Sequence, residues 1–232
     1  MRHPFVSSFS SRFVRRLSAG LFAAVFAAVF AASVLAQNLV RYNGQPRGSK
    51  VRIEGTSTIH DWTVEGELVP GYLEFPDGVQ IDPAQKTIPG LKAGKLPAKV
   101  SVSIPVRSLK SGKTTMDNVM LQALKAEQNP KIEYQLIDLT MKEPHAPGTP
   151  FQFEAKGTLK VAGITRTNVM LVTMDRAGEN KLKTTGSINL KMTDFGMQPP
   201  VLLGILSTGD DVKIFFEWLT SLPAKPAAEP PK

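Results

Sequence analysis

Strict alternation of apolar and polar positions runs through most of this chain and predicts strands along nearly its whole length. Val100, Val102, Ile104 and Val106 share one face of a run over 99–106, with Pro105 on the other face and near the end. A missing N–H does least damage there. Phe151, Phe153, Ala155, Gly157, Leu159 and Val161 form a longer run of one parity. Between these two, Ile132, Tyr134 and Leu136 alternate, and then Ile137, Leu139 and Met141 continue on the opposite parity. A change of parity inside a strand is what a β-bulge produces. Further runs cover 169–174, 182–192 and 212–219, and turn residues separate them at 144–150, Ala162-Gly163, Ala177-Gly178 and Gly209-Asp210. Many short strands at this spacing indicate an antiparallel sandwich or barrel.

The segment GTSTIHDW, Gly55 to Trp62, opens a further strand in this reading. His60, Trp62, Val64 and Leu68 share one parity, and Asp61, Thr63, Glu65 and Glu67 share the other. Alternate side chains point to opposite faces, so this strand is half-buried with a charged outer face. It places His60 on the inward side beside Trp62. An interior histidine needs a partner, so His60 is expected to be a structural anchor or a polar group inside a pocket.

One segment departs from the two-residue period. Met116, Val119, Met120, Ala123 and Leu124 recur at helical spacing, with Thr114 and Asp117 placed as a capping box and Pro130 limiting the extension. A short amphipathic helix between strands can cover the end of a barrel. The stretch 194–206 is apolar but broken by Pro199, Pro200 and Gly204, and 223–232 is a proline-rich segment expected to be a disordered tail.

The N-terminus changes the picture of charge. Arg2, Arg12, Arg15 and Arg16 precede an alanine-rich apolar run from Leu17 to Ala36, with no acidic residue in the whole stretch. This is the pattern of a secretory leader over 1–36, expected to be cleaved after Ala36 and to leave a periplasmic or secreted protein without stable membrane insertion. The 28 lysines and arginines of the chain, less the four in the leader, leave 24 against 20 acidic residues, so the net charge falls from +8 to +4. The basic residues are dispersed, which argues against a nucleic-acid partner. Cysteine is absent, so neither disulfides nor thiol chemistry is available.

Candidate chemistry is sparse. Beyond the leader the histidines are His60 and His145, too few for a metal site without cysteine. His145 falls in a loop expected to be solvated. Ser57 is near His60 in sequence, yet strand spacing does not make them a nucleophile and base. No glycine spacing matches a phosphate loop. No cofactor and no catalysis are expected.

In order and spacing the chain resembles the YceI-like polyisoprenoid-binding family. The matching pieces are GTSTIHDW (55–62), VSVSIPVRSLKSGKTTMDNVM (100–120), LQALKAEQNPKIEY (121–134), GTLKVAGITR (157–166) and SINLKMTDFGMQPP (187–200), followed by a final strand over 211–218. The resemblance implies an exported all-β protein, an eight-stranded antiparallel lipocalin-like barrel over 37–222 with one short helix near its mouth. It implies an isoprenoid or other long-chain lipid in an elongated cavity. Many members carry Arg-Asp and Phe-Phe in the helix, where this chain has Met116-Asp117 and Ala123-Leu124. The missing arginine weakens the expectation of a pyrophosphate headgroup.

Combining parity with the resemblance, the expected ligand-binding residues are His60, Trp62, Val64, Val100, Val102, Ile104, Met116, Met120, Phe153 and Phe216. The competing readings are a small exported enzyme using His60, and a dry structural barrel acting through its surface. An outer-membrane barrel is a weaker rival, because Asp61, Glu65 and Glu67 would then face lipid.

Overall fold

A computed structural model describes residues 38–202 and 205–223. The leader expected over 1–36, and all but the first residue of the expected tail, lie outside the described residues.

The strands are β1 (Leu39–Gly44), β2 (Lys50–Ser57), β3 (Trp62–Gly66), β4 (Gly71–Pro76), β5 (Lys99–Pro105), β6 (Lys131–Met141), β7 (Phe151–Val161), β8 (Ile164–Gly178), β9 (Lys181–Lys191), β10 (Val201–Leu202) and β11 (Leu206–Ser221). The single α-helix among the described residues, α1, spans Thr114–Ala123. Antiparallel pairing runs β1-β4-β5-β6-β7-β8-β9-β11, and β11 returns to β1 through Asn43↔Ser221 and Gly44↔Thr220. The result is a closed eight-stranded antiparallel barrel, which settles the choice between sandwich and barrel that the strand pattern left open in the direction the resemblance implied. Two extra strands, β2 and β3, continue from the same edge of β11 as a hairpin. The free edge of β3 is fastened after β5 by a reciprocal backbone pair, Glu65 N–H to Lys110 O at 2.8 Å and Lys110 N–H to Glu65 O at 2.7 Å.

Parity sets the inner wall. In β7 every residue of the Phe151, Phe153, Ala155, Gly157, Leu159, Val161 series is buried. The alternate positions carry Gln152, Glu154, Lys156, Thr158 and Lys160 to the outside. The parity change in β6 is a true bulge: register shifts between Leu136 and Asp138, so that Ile137 is exposed while Leu139 and Met141 are buried. Outside, Lys50–Glu65 (2.7 Å), Lys160–Glu133 (3.2 Å) and Lys183–Glu217 (2.6 Å) form ion pairs across neighbouring strands. A charged wall of this kind is the reverse of the apolar band that a membrane-spanning barrel presents to lipid.

One end of the barrel is packed solid. Phe75, Phe151, Phe153 and Trp218 are buried there with Leu73 and Leu139. The β4–β5 connection folds over this cluster with Ile81, Ile88 and Leu96. Trp218 keeps its polar edge satisfied by donating Nε1–H to the Val69 carbonyl at 2.9 Å, as a buried indole must.

Two local expectations are corrected. Gly55 to Trp62 is not the start of one strand: Gly55 to Ser57 end β2, Trp62 begins β3, and His60 sits in the turn between them. The parity shared by His60 and Trp62 therefore crosses a chain reversal and carries no orientation. The capping box is also absent. Lys113 is the N-cap of α1, without a side-chain cap. Asp117 instead reaches back to the preceding loop, accepting from the Ser111 N–H and the Ser111 hydroxyl, each at 2.7 Å.

Candidate functional site

The other end of the barrel is hollow. A cavity of about 660 Å³ lies between α1, the β2–β3 hairpin and the inner faces of β6, β7, β9 and β11. Ile53, Val64, Leu159, Val161, Leu190 and Ile214 line its depth, with Met116, Val119 and Met120 of α1 as one wall. Lys113 and Lys191 are the charged side chains on its lining, and both are exposed. The interior is thus an apolar slot with its charges at the mouth. Its volume lies in the usual range of small-molecule sites.

Each wall has a local cause. Trp62 stands opposite Gly55 in the β2–β3 register. A Cβ on Gly55 would come within 2.6 Å of the indole Cε2, so only glycine lets the ring lie there. The indole Nε1–H donates to the Thr56 carbonyl at 3.0 Å, which fixes the ring against the hairpin. The helix is placed by Asp117 and Ser111, and those two hydrogen bonds hold the Asp117 carboxyl below the usual carboxylate range. The sulfur-bearing Met116 and Met120 then face the slot, with flexible side chains that adapt to an apolar guest.

Of the ten residues expected at the site, five lie on this cavity: His60, Trp62, Val64, Met116 and Met120. Val100, Val102, Ile104, Phe153 and Phe216 do not line it. Phe153 is wholly buried at the closed end, and the three β5 residues pack against the same cluster. Phe216 faces inward over Gly186, whose missing side chain leaves room for the ring. Parity gave these five the right face of the wall, but parity does not report depth along the barrel. The sequence reading did not single out Leu159, Val161, Val212 and Ile214, although they belong to its alternating runs; Ile53, in β2, fell outside them.

His60 is corrected most. It is exposed at the mouth, and its Nδ1 lies 2.9 Å from the Asp61 carbonyl. Ser57 spends its hydroxyl on the His60 backbone carbonyl at 2.7 Å and not on the imidazole, so no nucleophile–base pair forms. His145, expected in solvent, is half-buried, stacked on Phe151 at 4.0 Å between ring centroids.

The interior keeps some polar irregularity. Tyr134 lies over Gly157, and its hydroxyl is buried without a hydrogen-bond partner among the described residues; burial pushes its pKa up to about 12. Asn168, the register partner of Gly157, likewise has a buried Oδ1 without a partner among the described residues.

The family model of the YceI-like domain matches residues 42–218. The chain belongs to the YceI-like family. Solved structures agree on the fold of this YceI-like protein. A polyisoprenoid binding domain from Saccharophagus degradans, implicated in plant cell wall breakdown, superposes with a TM-score of 0.58 at 11% identity, covering 80% of this chain and 100% of that one. BcnA from Burkholderia cenocepacia gives a TM-score of 0.53 at 17% identity, covering 74% and 95%. No curated protein sequence matches the chain.

Proposed function

We propose that this YceI-like protein is an exported carrier that holds an isoprenoid-type or other long-chain apolar lipid in the hollow half of its barrel, without catalysis. The observation that carries the reading is the slot itself: about 660 Å³, lined in its depth by aliphatic side chains and by two methionines of α1. Every methylene moved from water into such a slot contributes about 0.8 kcal/mol before binding costs. At roughly 30 Å³ per heavy atom, the volume suits on the order of twenty heavy atoms, or about four isoprene units. The Saccharophagus degradans domain of the same fold is named for polyisoprenoid binding, which supports the same class of guest. The basic and apolar leader read from residues 1–36 supports export.

The test is mass spectrometry of organic extracts from the exported protein, followed by titration with isoprenoid alcohols of increasing length. A co-purifying long-chain lipid, and affinity that climbs with length to about four units, are the expected results. Absence of extractable lipid together with no length dependence overturns the carrier reading.

A further inference from the structure

We propose that the mouth of the cavity is a bilayer-docking surface, seated on lipid through Ile59 of the β2–β3 turn and Val201 and Ile205 of the β10–β11 hairpin. This rests on the carrier reading above. Ile59 is 66% exposed, Val201 60% and Ile205 78%. Their two loops are fastened side by side where the Thr58 N–H donates to the Ser207 carbonyl at 3.0 Å, and the second loop is closed on itself by the Thr208 N–H donating to the Pro200 carbonyl at 3.0 Å. Ile59 and Pro200 also line the cavity, so the exposed apolar rim is continuous with the apolar interior. Other exposed aliphatic residues, such as Leu171, stand on the barrel wall with charged neighbours such as Glu154 in register.

Two arguments choose a bilayer as occupant. The first is the cargo. A chain leaving this slot through water would lose roughly fourfold in equilibrium for every methylene exposed, whereas a mouth pressed on a membrane exposes none. The second is the charge around the mouth, which nearly balances, with Arg166 and Lys191 standing beside Asp194, Asp210 and Asp211. Lys191 pairs with Asp211 at 2.8 Å, Asp210 accepts from the Thr193 N–H and hydroxyl at 2.9 and 2.7 Å, and Arg166 donates to the Asp194 carbonyl at 2.7 Å. Lys113 and Asp61, both exposed, add one charge of each sign. Such a rim has little electrostatic pull, and apolar insertion is left as the driving force.

Flotation of the exported protein with neutral phosphatidylcholine vesicles, and with vesicles containing phosphatidylglycerol, tests this at low and high salt. Expected are binding to both kinds of vesicle with little salt dependence, about tenfold weaker partitioning for Ile59→Asp or Ile205→Asp, and a larger loss for the double variant. Leu171→Asp serves as a wall control and should bind as the parent does. Transfer of an isoprenoid alcohol out of vesicles should slow in Ile205→Asp, whose side chain is off the cavity lining, while its affinity for the same alcohol presented in detergent stays unchanged. Failure of the parent to bind neutral vesicles, binding confined to anionic vesicles and abolished by salt, equal binding by the double variant, or a dimer that covers the rim would each overturn the docking proposal. Vesicle binding without any isoprenoid affinity would instead overturn the carrier reading and leave the docking surface standing.

Discussion

The indole of Trp62 occupies the space that a side chain on Gly55 would need, and the two residues are register partners across the β2–β3 hairpin. Gly55→Ala is therefore expected to push the ring off the hairpin, costing about 1–3 kcal/mol as an overpacking change. Because Trp62 lines the cavity, ligand affinity should fall as well. Pairing Gly55→Ala with Trp62→Leu should recover part of the stability, since two residues in contact do not act additively. Chemical denaturation of the four members of this cycle measures the coupling; additive losses would show that the two side chains do not compete for one space.

Depth along the barrel separates residues that share a face. Val212→Trp and Ile214→Trp, both on the cavity wall, should fold and shorten the longest isoprenoid alcohol accepted. Val102→Trp, on β5 against the packed cluster, should destabilise by about 1–3 kcal/mol and leave the length cutoff in place. Titration with a ladder of chain lengths, alongside thermal melts, distinguishes the two behaviours.

Tyr134→Phe removes a buried hydroxyl that has no partner among the described residues. A small gain in stability, up to about 1 kcal/mol, is expected at neutral pH. The native state raises this phenol to about 12, from an ordinary value near 10, so it favours the protonated form. The associated stability is complete below pH 10 and is lost as pH rises toward 12. Wild type should therefore lose stability more steeply than Tyr134→Phe across that interval, which alkaline denaturation curves read directly.

Asp117 behaves in the opposite direction. Its native carboxyl is held below the usual range by the Ser111 N–H, then by the Ser111 hydroxyl, with Lys110 adding to the effect. The contribution is present above the ordinary carboxylate value and is lost as pH falls through the native one. Asp117→Asn should flatten the acid limb of the stability curve. It should also loosen α1, seen as faster amide exchange over 114–123; an unchanged acid limb would show that the carboxylate does not brace the helix.

His60→Gln should change stability by less than about 0.5 kcal/mol, since the side chain is exposed in a turn. Thermal melts of the lipid-free protein check it. A loss of several kcal/mol would return His60 to the interior anchor that strand parity suggested.

Much of this fold was legible because β-strands carry a short, rigid period. The bulge at Ile137, the inward series of β7 and the helix around Met116 and Met120 each followed from spacing alone. What escaped had no periodic signature. Ser57 to Asp61 is polar and turn-rich, and the parity linking His60 with Trp62 continued across the reversal by coincidence. β1, β2 and β4 were not read as separate strands, since Val40, Tyr42, Val51, Ile53, Leu73 and Phe75 lie in short runs interrupted by glycine and charge. The division between packed and hollow halves depends on which side chains meet across the barrel, such as Tyr134 over Gly157, and a single strand does not encode that.

The solid end and the hollow end draw on largely separate residues of the same strands. Phe151 and Phe153 belong to one, Leu159 and Val161 to the other, within a single strand of eleven residues. Substitutions near the mouth can accordingly drift toward a different guest while the distal aromatic cluster goes on specifying the architecture. A scaffold partitioned in this way is open to divergence in specificity under selection that never has to reinvent its folding.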